Sequence, residues 1–131
     1  MSKVVFACIH NAGRSQMAAA FFNQLVHRDK TSAISAGTQP AERVHPEVVR
    51  AMEEIGIDLS QAKPQRLTPE LASDAQMLVT MGCGDECPWV PGLRREDWAL
   101  PDPKGQDLET VRTIRDEIRR RVERLFEEEG L

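Results

Sequence analysis

The chain has 131 residues, the size of one domain with its own hydrophobic core, and we expect a single domain over residues 1–131. Hydrophobic residues make up 40% and charged residues 29% of the chain, a composition that excludes an intrinsically disordered protein. The formal net charge of −4 gives no overall attraction to nucleic acid or acidic membranes, so an anion must be held by a local site.

The cysteine content and the N-terminus point to a reducing compartment. The chain enters the apolar run at Val4 without a secretory pattern, and no apolar run approaches the length that crosses a bilayer. We therefore expect a cytoplasmic protein without membrane association. Three cysteines, an odd number, indicate catalysis, redox chemistry or metal binding there rather than a framework of structural disulfides.

The first predicted elements are a strand, a short loop and a helix. Val4–Ala7 is an apolar run typical of a buried strand, and it ends at Cys8. From Ser15 onward, apolar residues recur at spacings of three and four, which predicts an amphipathic helix that ends near His27.

The alternation continues through the middle of the chain. Ser32–Ala36 predicts a second strand, and Pro46 begins a helix that Gly56 ends. Thr68–Glu70 has the pattern of a helix cap and first turn. Two further strands are predicted, a buried one and a short edge strand, at Ala75–Thr80 and Trp98–Leu100.

The last element is a long helix with Asp107 as its N-cap. Its many arginines alternate with acidic residues, as on a solvated, salt-bridged face, so we expect no nucleic-acid binding there. Alternating strands and helices predict an α/β fold, a three-layer α/β/α domain around a central four-stranded parallel sheet.

A loop suited to oxyanions follows the first strand. In an open parallel sheet, ligands bind beyond the carboxyl ends of the strands, and the N-terminus of the next helix offers unpaired N–H groups to an anion. Gly13 allows the amides to turn inward, and Asn11 is a residue type that tolerates positive φ. The predicted oxyanion site comprises Ile9, His10, Asn11, Ala12, Gly13, Arg14 and Ser15.

Cys8 is the candidate nucleophile of this loop. The helix dipole, the inward amides and the charge of Arg14 all favour its thiolate form, and the Ser15 hydroxyl is placed to donate to the sulfur. The alternative is a buried cysteine at a strand end, followed by a glycine loop of no function.

Cys8–Arg14 resembles the phosphate-binding loop of low-molecular-weight protein tyrosine phosphatases and of the arsenate reductases that share their fold. Arg14–Ala18 is most similar to the arsenate reductase branch. The resemblance covers essentially the whole chain, including Ser35–Gly37, Asp102–Pro103 and the closing helix. It places His10 at a variable position, where a structural or solvent-facing role is favoured over a general base.

The resemblance implies a thiol relay that reduces arsenate, a tetrahedral anion for which phosphate and sulfate are site mimics. Cys8 attacks arsenate, Cys83 then attacks the Cys8 sulfur and releases arsenite, and Cys87 moves the disulfide to Cys83–Cys87. Thioredoxin is the implied electron donor. No flavin or nicotinamide motif is visible, so we expect no cofactor. The relatives' potassium site needs a helix carboxylate where this chain has Ala19, so no required metal is expected.

The spacing of Cys83 and Cys87 leaves the donor open, because thioredoxin-coupled relatives usually separate these cysteines by more than three residues. One helical turn puts Cβ atoms about 5–6 Å apart, whereas a disulfide needs about 3.8 Å. Mycothiol with a glutaredoxin-type protein, acting through Cys8 alone, remains an alternative. Half of a zinc site is a second alternative for the pair, and core packing is one for Cys87.

Asp102 is the predicted general acid. It lies between two prolines, and the phosphatase relatives use an aspartate of such an Asp-Pro pair to protonate the leaving oxygen. The alternatives are a structural turn aspartate at this position and Asp85 as the acid. Trp98 is expected to pack in the core or the site wall.

Three functions follow for the whole chain. The main hypothesis is an arsenate reductase with weak residual phosphatase activity. The second is a phosphatase that hydrolyses aryl phosphates through a Cys8 phospho-intermediate, although the chain lacks the tyrosines typical of such enzymes. The third is a non-enzymatic thiol redox or arsenical sensor, which would need neither Arg14 nor Asp102.

Overall fold

The computed structural model describes residues 2–26, 31–82 and 93–129. These residues form β1 (Ser2–Cys8), α1 (Arg14–Leu25), β2 (Thr31–Gly37), α2 (Pro46–Glu53), α3 (Pro69–Ala72), β3 (Met77–Thr80), β4 (Arg94–Asp97) and α4 (Leu108–Glu128). The strands form one parallel sheet with the order β2-β1-β3-β4. The predicted α/β fold with a four-stranded parallel sheet is therefore confirmed.

The position of β1 explains where a site can form. The chain leaves β1 for β2 on one side and later crosses to β3 on the other, so the strand order reverses beside β1. Such a reversal opens a crevice outside the carboxyl ends of the strands. The loop that follows Cys8 lies at this point.

The two faces of the sheet carry unequal cores because neighbouring side chains of β1 point to opposite faces. Val4, Phe6 and Cys8 belong to the larger cluster, together with the apolar sides of α1, α2 and α4. Val5 and Ala7 belong to a smaller cluster, against which Leu71 of α3 packs. Among the described residues, three helices thus cover one face and a single short helix packs on the other.

The predicted helix starts agree with the structure. Pro46 is the first residue of α2, and the Thr68 side chain accepts a hydrogen bond from the Leu71 N–H at 3.1 Å. Asp107 caps α4 by accepting from the Thr110 N–H at 2.9 Å. These caps satisfy N–H groups that the helices themselves leave without partners.

The predicted edge strand at Trp98–Leu100 is wrong in position, because the fourth strand is Arg94–Asp97. This strand lies at the sheet edge and is built from charged residues, so it lacks a hydrophobic pattern, as edge strands that avoid aggregation often do. Trp98 follows it, donates its N–H to the Thr80 carbonyl at 2.8 Å and packs against Phe6, as its expected core role required.

The charged face of α4 is held by ion pairs, as its alternating pattern predicts. Arg112 and Arg115 bind Glu54 at the end of α2, while Arg120 and Arg121 both pair with Glu117. Within residues 2–26, 31–82 and 93–129, no helix is both long enough and apolar enough to span a bilayer.

The α2–α4 ion pairs make stability depend on acid pH. The Arg112 hydrogen bond, supported by Arg115, lowers the pKa of Glu54 from its ordinary value of 4.5 to about 2. A lowered folded-state pKa means that this contribution is complete above pH 4.5 and is lost as the pH falls towards 2. We expect Glu54→Gln to be less stable than the wild type at pH 7 and nearly equal to it at pH 2.

Urea unfolding between pH 7 and pH 2 measures this difference. Glu53→Gln, which changes the neighbouring carboxylate, is the matched control and should track the wild type across the range. If the free energy of unfolding of Glu54→Gln stays equally far below that of the wild type down to pH 2, the stabilisation does not come from the ionised Glu54 carboxylate.

Candidate active site

The main-chain carbonyl groups of the loop between β1 and α1 are hydrogen-bonded to a neighbouring segment of the chain. The carbonyls of Cys8, Ile9, His10 and Ala12 accept N–H hydrogen bonds, of 2.7 to 3.2 Å, from residues of the 38–45 segment. A trans peptide points its N–H opposite to the preceding C=O, so the following N–H groups face away from that segment. The loop therefore presents a set of N–H donors on its other side, the arrangement predicted for an oxyanion site.

Cys8 ends β1 as a buried side chain, with 2% of its surface exposed. Its Sγ lies 2.9 Å from the Ser15 Oγ. Asn11 donates from Nδ2 to the same Oγ at 2.7 Å. Since the Asn11 donation occupies a lone pair of Ser15, the hydroxyl hydrogen is available to stabilise a thiolate on Cys8.

Asn11 shapes the loop around this contact. Its φ is 49°, in the left-handed region, as the sequence predicted for this residue type. Its Oδ1 accepts from the Gln65 N–H at 2.9 Å and from Gln16 Nε2 at 3.2 Å. These bonds satisfy a fully buried amide and hold its Nδ2 on Ser15.

Arg14 begins α1 and is buried, with 5% of its surface exposed. Its Nη1 donates to the Leu100 carbonyl at 3.1 Å, and its Nη2 lies 3.8 Å from Asp102 Oδ2. Its Nε is buried and has no hydrogen-bond partner among the residues that the structure describes. A buried donor without a partner costs free energy, so Nε has capacity for an anionic acceptor.

Asp102 lies at the rim of this arrangement. Its side chain is 43% exposed, and its Oδ1 accepts from the Lys104 N–H at 3.0 Å. The next residue, Pro103, packs on the loop so closely that a Cβ added at Gly13 would lie 2.7 Å from its Cγ. The predicted acid is thus brought beside Arg14 and faces solvent as well.

The chain leaves β3 towards the other cysteines at the same edge of the sheet. Met81 continues the pairing of β3 by donating its N–H to the Ala7 carbonyl at 2.7 Å. Gly82 follows and lies against the Arg14 guanidinium. Cys83, Asp85 and Cys87 lie outside the described residues.

His10 and His45 form an edge-to-face pair, with ring centroids 6.4 Å apart. Partial burial lowers the pKa of His45 below its ordinary 6.5, although Glu47 and Asp102 act in the opposite direction. His45 is therefore largely neutral at pH 7. His10 thus has a ring partner beside the loop.

Several contributors to the site had no strong signal in the sequence. The Leu100 carbonyl and the Gln65 N–H are main-chain groups, so the type of side chain does not reveal their role. Gln16 and His45 are polar residues of ordinary helix starts, and only their tertiary contacts bring them to the loop. Gly82 had a visible signal, since a glycine two residues after a buried strand can mark a close approach or a positive φ.

Comparison with known proteins gives a consistent result. The family described as low molecular weight phosphotyrosine protein phosphatase matches residues 3–129. A glutaredoxin arsenate reductase of Synechocystis is 41% identical over 129 residues, which cover 96% of this chain and 97% of that protein. An arsenate reductase of Staphylococcus epidermidis is 34% identical over 124 residues, 92% of each chain.

A solved structure shares the fold as well. The thioredoxin-dependent arsenate reductase of Corynebacterium glutamicum superposes with a TM-score of 0.84 at 37% identity. The alignment covers 98% of this chain but only 61% of that protein, so this chain spans about three fifths of that relative's length.

Proposed function

The chain belongs to the low molecular weight phosphotyrosine protein phosphatase family, and from that premise we propose that it is an arsenate reductase that works through a thiol relay. The observation that carries the proposal is the buried Arg14, whose Nε lacks a partner among the described residues beside a loop of N–H donors. That combination fits a tetrahedral oxyanion. The choice of arsenate over phosphate rests on Cys83 and Cys87 and on the relatives named arsenate reductases.

Arsenate binding is assigned to residues 9–15. The N–H groups of the loop and the N-terminus of α1 supply donors and the positive end of a helix dipole. The Arg14 guanidinium supplies a charged fork matched to two oxygens. Phosphate and sulfate have the same shape, so both should compete with arsenate.

The first chemical step forms a bond between Cys8 Sγ and arsenic. One arsenate oxygen leaves as water, and Asp102 supplies the proton that this departure needs. Ser15 donates to the sulfur before the attack, and Asn11 keeps the Ser15 hydroxyl aligned. Arsenic is still in oxidation state V after this step.

The second step transfers two electrons. The Cys83 thiolate attacks Cys8 Sγ, the sulfur–arsenic bond breaks, and its electron pair stays on arsenic, which leaves as arsenite. The product on the protein is a Cys8–Cys83 disulfide. Gly82, the residue before Cys83, lies against Arg14, which supports the assignment of Cys83 as the second nucleophile.

The third step regenerates Cys8. The Cys87 thiolate attacks the Cys83 sulfur, which releases the Cys8 thiolate and leaves a Cys83–Cys87 disulfide for an external dithiol to reduce. We propose thioredoxin as that donor and a glutaredoxin-type protein with a small thiol, such as mycothiol, as the alternative. Reduced thiols are needed throughout, so a cytoplasmic location is part of the proposal.

A coupled assay tests the function. Arsenate is supplied with thioredoxin, thioredoxin reductase and NADPH, and NADPH oxidation is followed by absorbance. Arsenate-dependent oxidation that phosphate inhibits is the expected result, with weak hydrolysis of aryl phosphates measured in parallel. A second arm replaces thioredoxin by glutaredoxin and mycothiol. Brisk aryl phosphate hydrolysis without arsenate-dependent turnover in either arm would overturn the proposal in favour of a phosphatase.

Removal of the acid should slow the first chemical step. We expect Asp102→Asn to lower the rate of Cys8–arsenate chemistry by about 10²-fold, the usual contribution of a positioned general acid. Arsenate-dependent loss of free thiols in a single turnover measures this rate without any electron donor. Asp97→Asn, an exposed aspartate of β4, is the control and should stay within about twofold of the wild type. An Asp102→Asn rate equal to that of the control would remove Asp102 from the mechanism.

A further inference from the structure

Gly82 lies directly against the Arg14 guanidinium. A Cβ built on Gly82 would lie 2.5 Å from Arg14 Nη1, 3.3 Å from Cζ and 3.5 Å from Nη2. Real Cβ atoms do not approach a neighbour as closely as 2.5 Å. The Nη1 end of the guanidinium therefore lies where any residue other than glycine would place its Cβ.

The two Nη atoms of Arg14 also have other partners. Nη1 donates to the Leu100 carbonyl at 3.1 Å, and Nη2 lies 3.8 Å from the Asp102 carboxylate. Arg14 is 5% exposed, so displacement into solvent is blocked as well. A side chain at residue 82 would therefore push the Arg14 guanidinium out of its contacts with the Leu100 carbonyl and the Asp102 carboxylate.

From this geometry we propose that Gly82 is a positioning residue for oxyanion binding. It acts through Arg14, because its missing side chain is what lets the Nη1 end of the guanidinium lie against the Gly82 backbone. The inference rests on the proposed function for the identity of the substrate. It does not need the relay, because the property at stake is the affinity of the site for a tetrahedral anion.

Backbone conformation is the competing explanation for a glycine at this position. Gly82 has φ +94°, in the left-handed region where a side chain is strained. Gly56 has φ +82° but would place a Cβ in open space, with nothing within 4 Å. Gly56→Ala therefore imposes a comparable backbone strain without any contact to Arg14, which makes it a matched control.

The test measures the binding of inorganic phosphate by isothermal titration calorimetry, which requires no turnover. We expect Gly82→Ala to weaken phosphate binding at least about tenfold, because a displaced fork loses its two-oxygen geometry. Gly56→Ala should stay within about twofold of the wild type, since it lies away from the site. The KM for arsenate should rise in Gly82→Ala by a similar factor, with a smaller change in kcat.

Gly82→Asn separates the two explanations, because asparagine tolerates positive φ yet carries a Cβ. It also serves if Gly82→Ala fails to fold. We expect Gly82→Asn to weaken phosphate binding as well. Phosphate binding that is normal in Gly82→Asn, or reduced equally in Gly56→Ala, would overturn the proposal.

A double-mutant cycle with Arg14→Lys adds a second criterion. Lysine has no guanidinium for the Cβ to displace. In the Arg14→Lys background, Gly82→Ala should therefore weaken phosphate binding by less than about threefold. If Gly82→Ala weakens phosphate binding by the same factor in the wild type and in Arg14→Lys, the proposal is also overturned. Phosphate binding is measured in every arm, so a protein that binds phosphate as expected but fails to reduce arsenate would count against the proposed function alone.

Discussion

Cys8→Ser is expected to abolish both arsenate reduction and aryl phosphate hydrolysis, each by at least about 10⁴-fold, the scale on which enzymes lose rate with their nucleophile. The serine hydroxyl has nearly the shape of the thiol and can keep a hydrogen bond to Ser15 Oγ, now 2.9 Å from Sγ. It is not ionised near neutral pH, so it lacks the anionic sulfur that attacks arsenic. It also cannot form the disulfide that stores the two electrons.

The loss should come from chemistry rather than from damage to the loop. The carbonyls of the loop bond to the 38–45 segment through main-chain atoms, which this substitution leaves unchanged. Phosphate affinity measured by calorimetry should therefore stay within about threefold of the wild type, as for a conservative change that adds no volume. Measurable arsenate turnover by Cys8→Ser, with thiols or thioredoxin, would exclude Cys8 as the attacking group.

The central fold was predictable because its elements carry strong local signals. The apolar run of β1, the three- and four-residue spacing of α1 and α4 and the caps at Thr68 and Asp107 all reappear in the structure. The loop after β1 was predictable from topology, since a parallel sheet places ligands at that edge. Local pattern and overall fold agree in these regions, which is why sequence reasoning succeeded there.

Features that depend on tertiary contacts were not predictable in the same way. The edge strand Arg94–Asp97 has no apolar pattern. The prediction therefore placed the strand at the apolar residues that follow it, beginning with the buried Trp98. The Leu100 carbonyl reaches Arg14 across 86 positions of sequence. The glycine at position 82 indicates only a special backbone position after β3. Its contact with Arg14 joins residues far apart in sequence and is seen only in the folded structure. Long-range partners of this kind leave almost no trace in the local sequence.

Cys83→Ser is expected to separate the two chemistries that Cys8 supports. Arsenate-dependent NADPH oxidation should fall by about three orders of magnitude or more, because the second nucleophile is missing and the Cys8–arsenate adduct has no route to arsenite. Aryl phosphate hydrolysis should stay within about threefold of the wild type, since water rather than a thiol resolves that intermediate. The loop between β1 and α1, Arg14 and Asp102 serve both reactions. A substitution that damages any of them would therefore lower both rates together.

Cys87→Ser is the matched control for this split, because it removes a thiol four positions later and leaves the first two steps of the relay intact. A single turnover with arsenate should still release one equivalent of arsenite and trap the Cys8–Cys83 disulfide, which mass spectrometry of the unreduced protein detects. Thioredoxin-coupled turnover should fall, because Cys8 is no longer freed within the protein. If Cys83→Ser instead keeps arsenate turnover with glutaredoxin and mycothiol, the oxyanion loop and Cys8 alone perform the reduction and the three-cysteine relay is wrong. Loss of aryl phosphate hydrolysis in Cys83→Ser would contradict the separation as well, since it would mean that Cys83 helps to build the anion site.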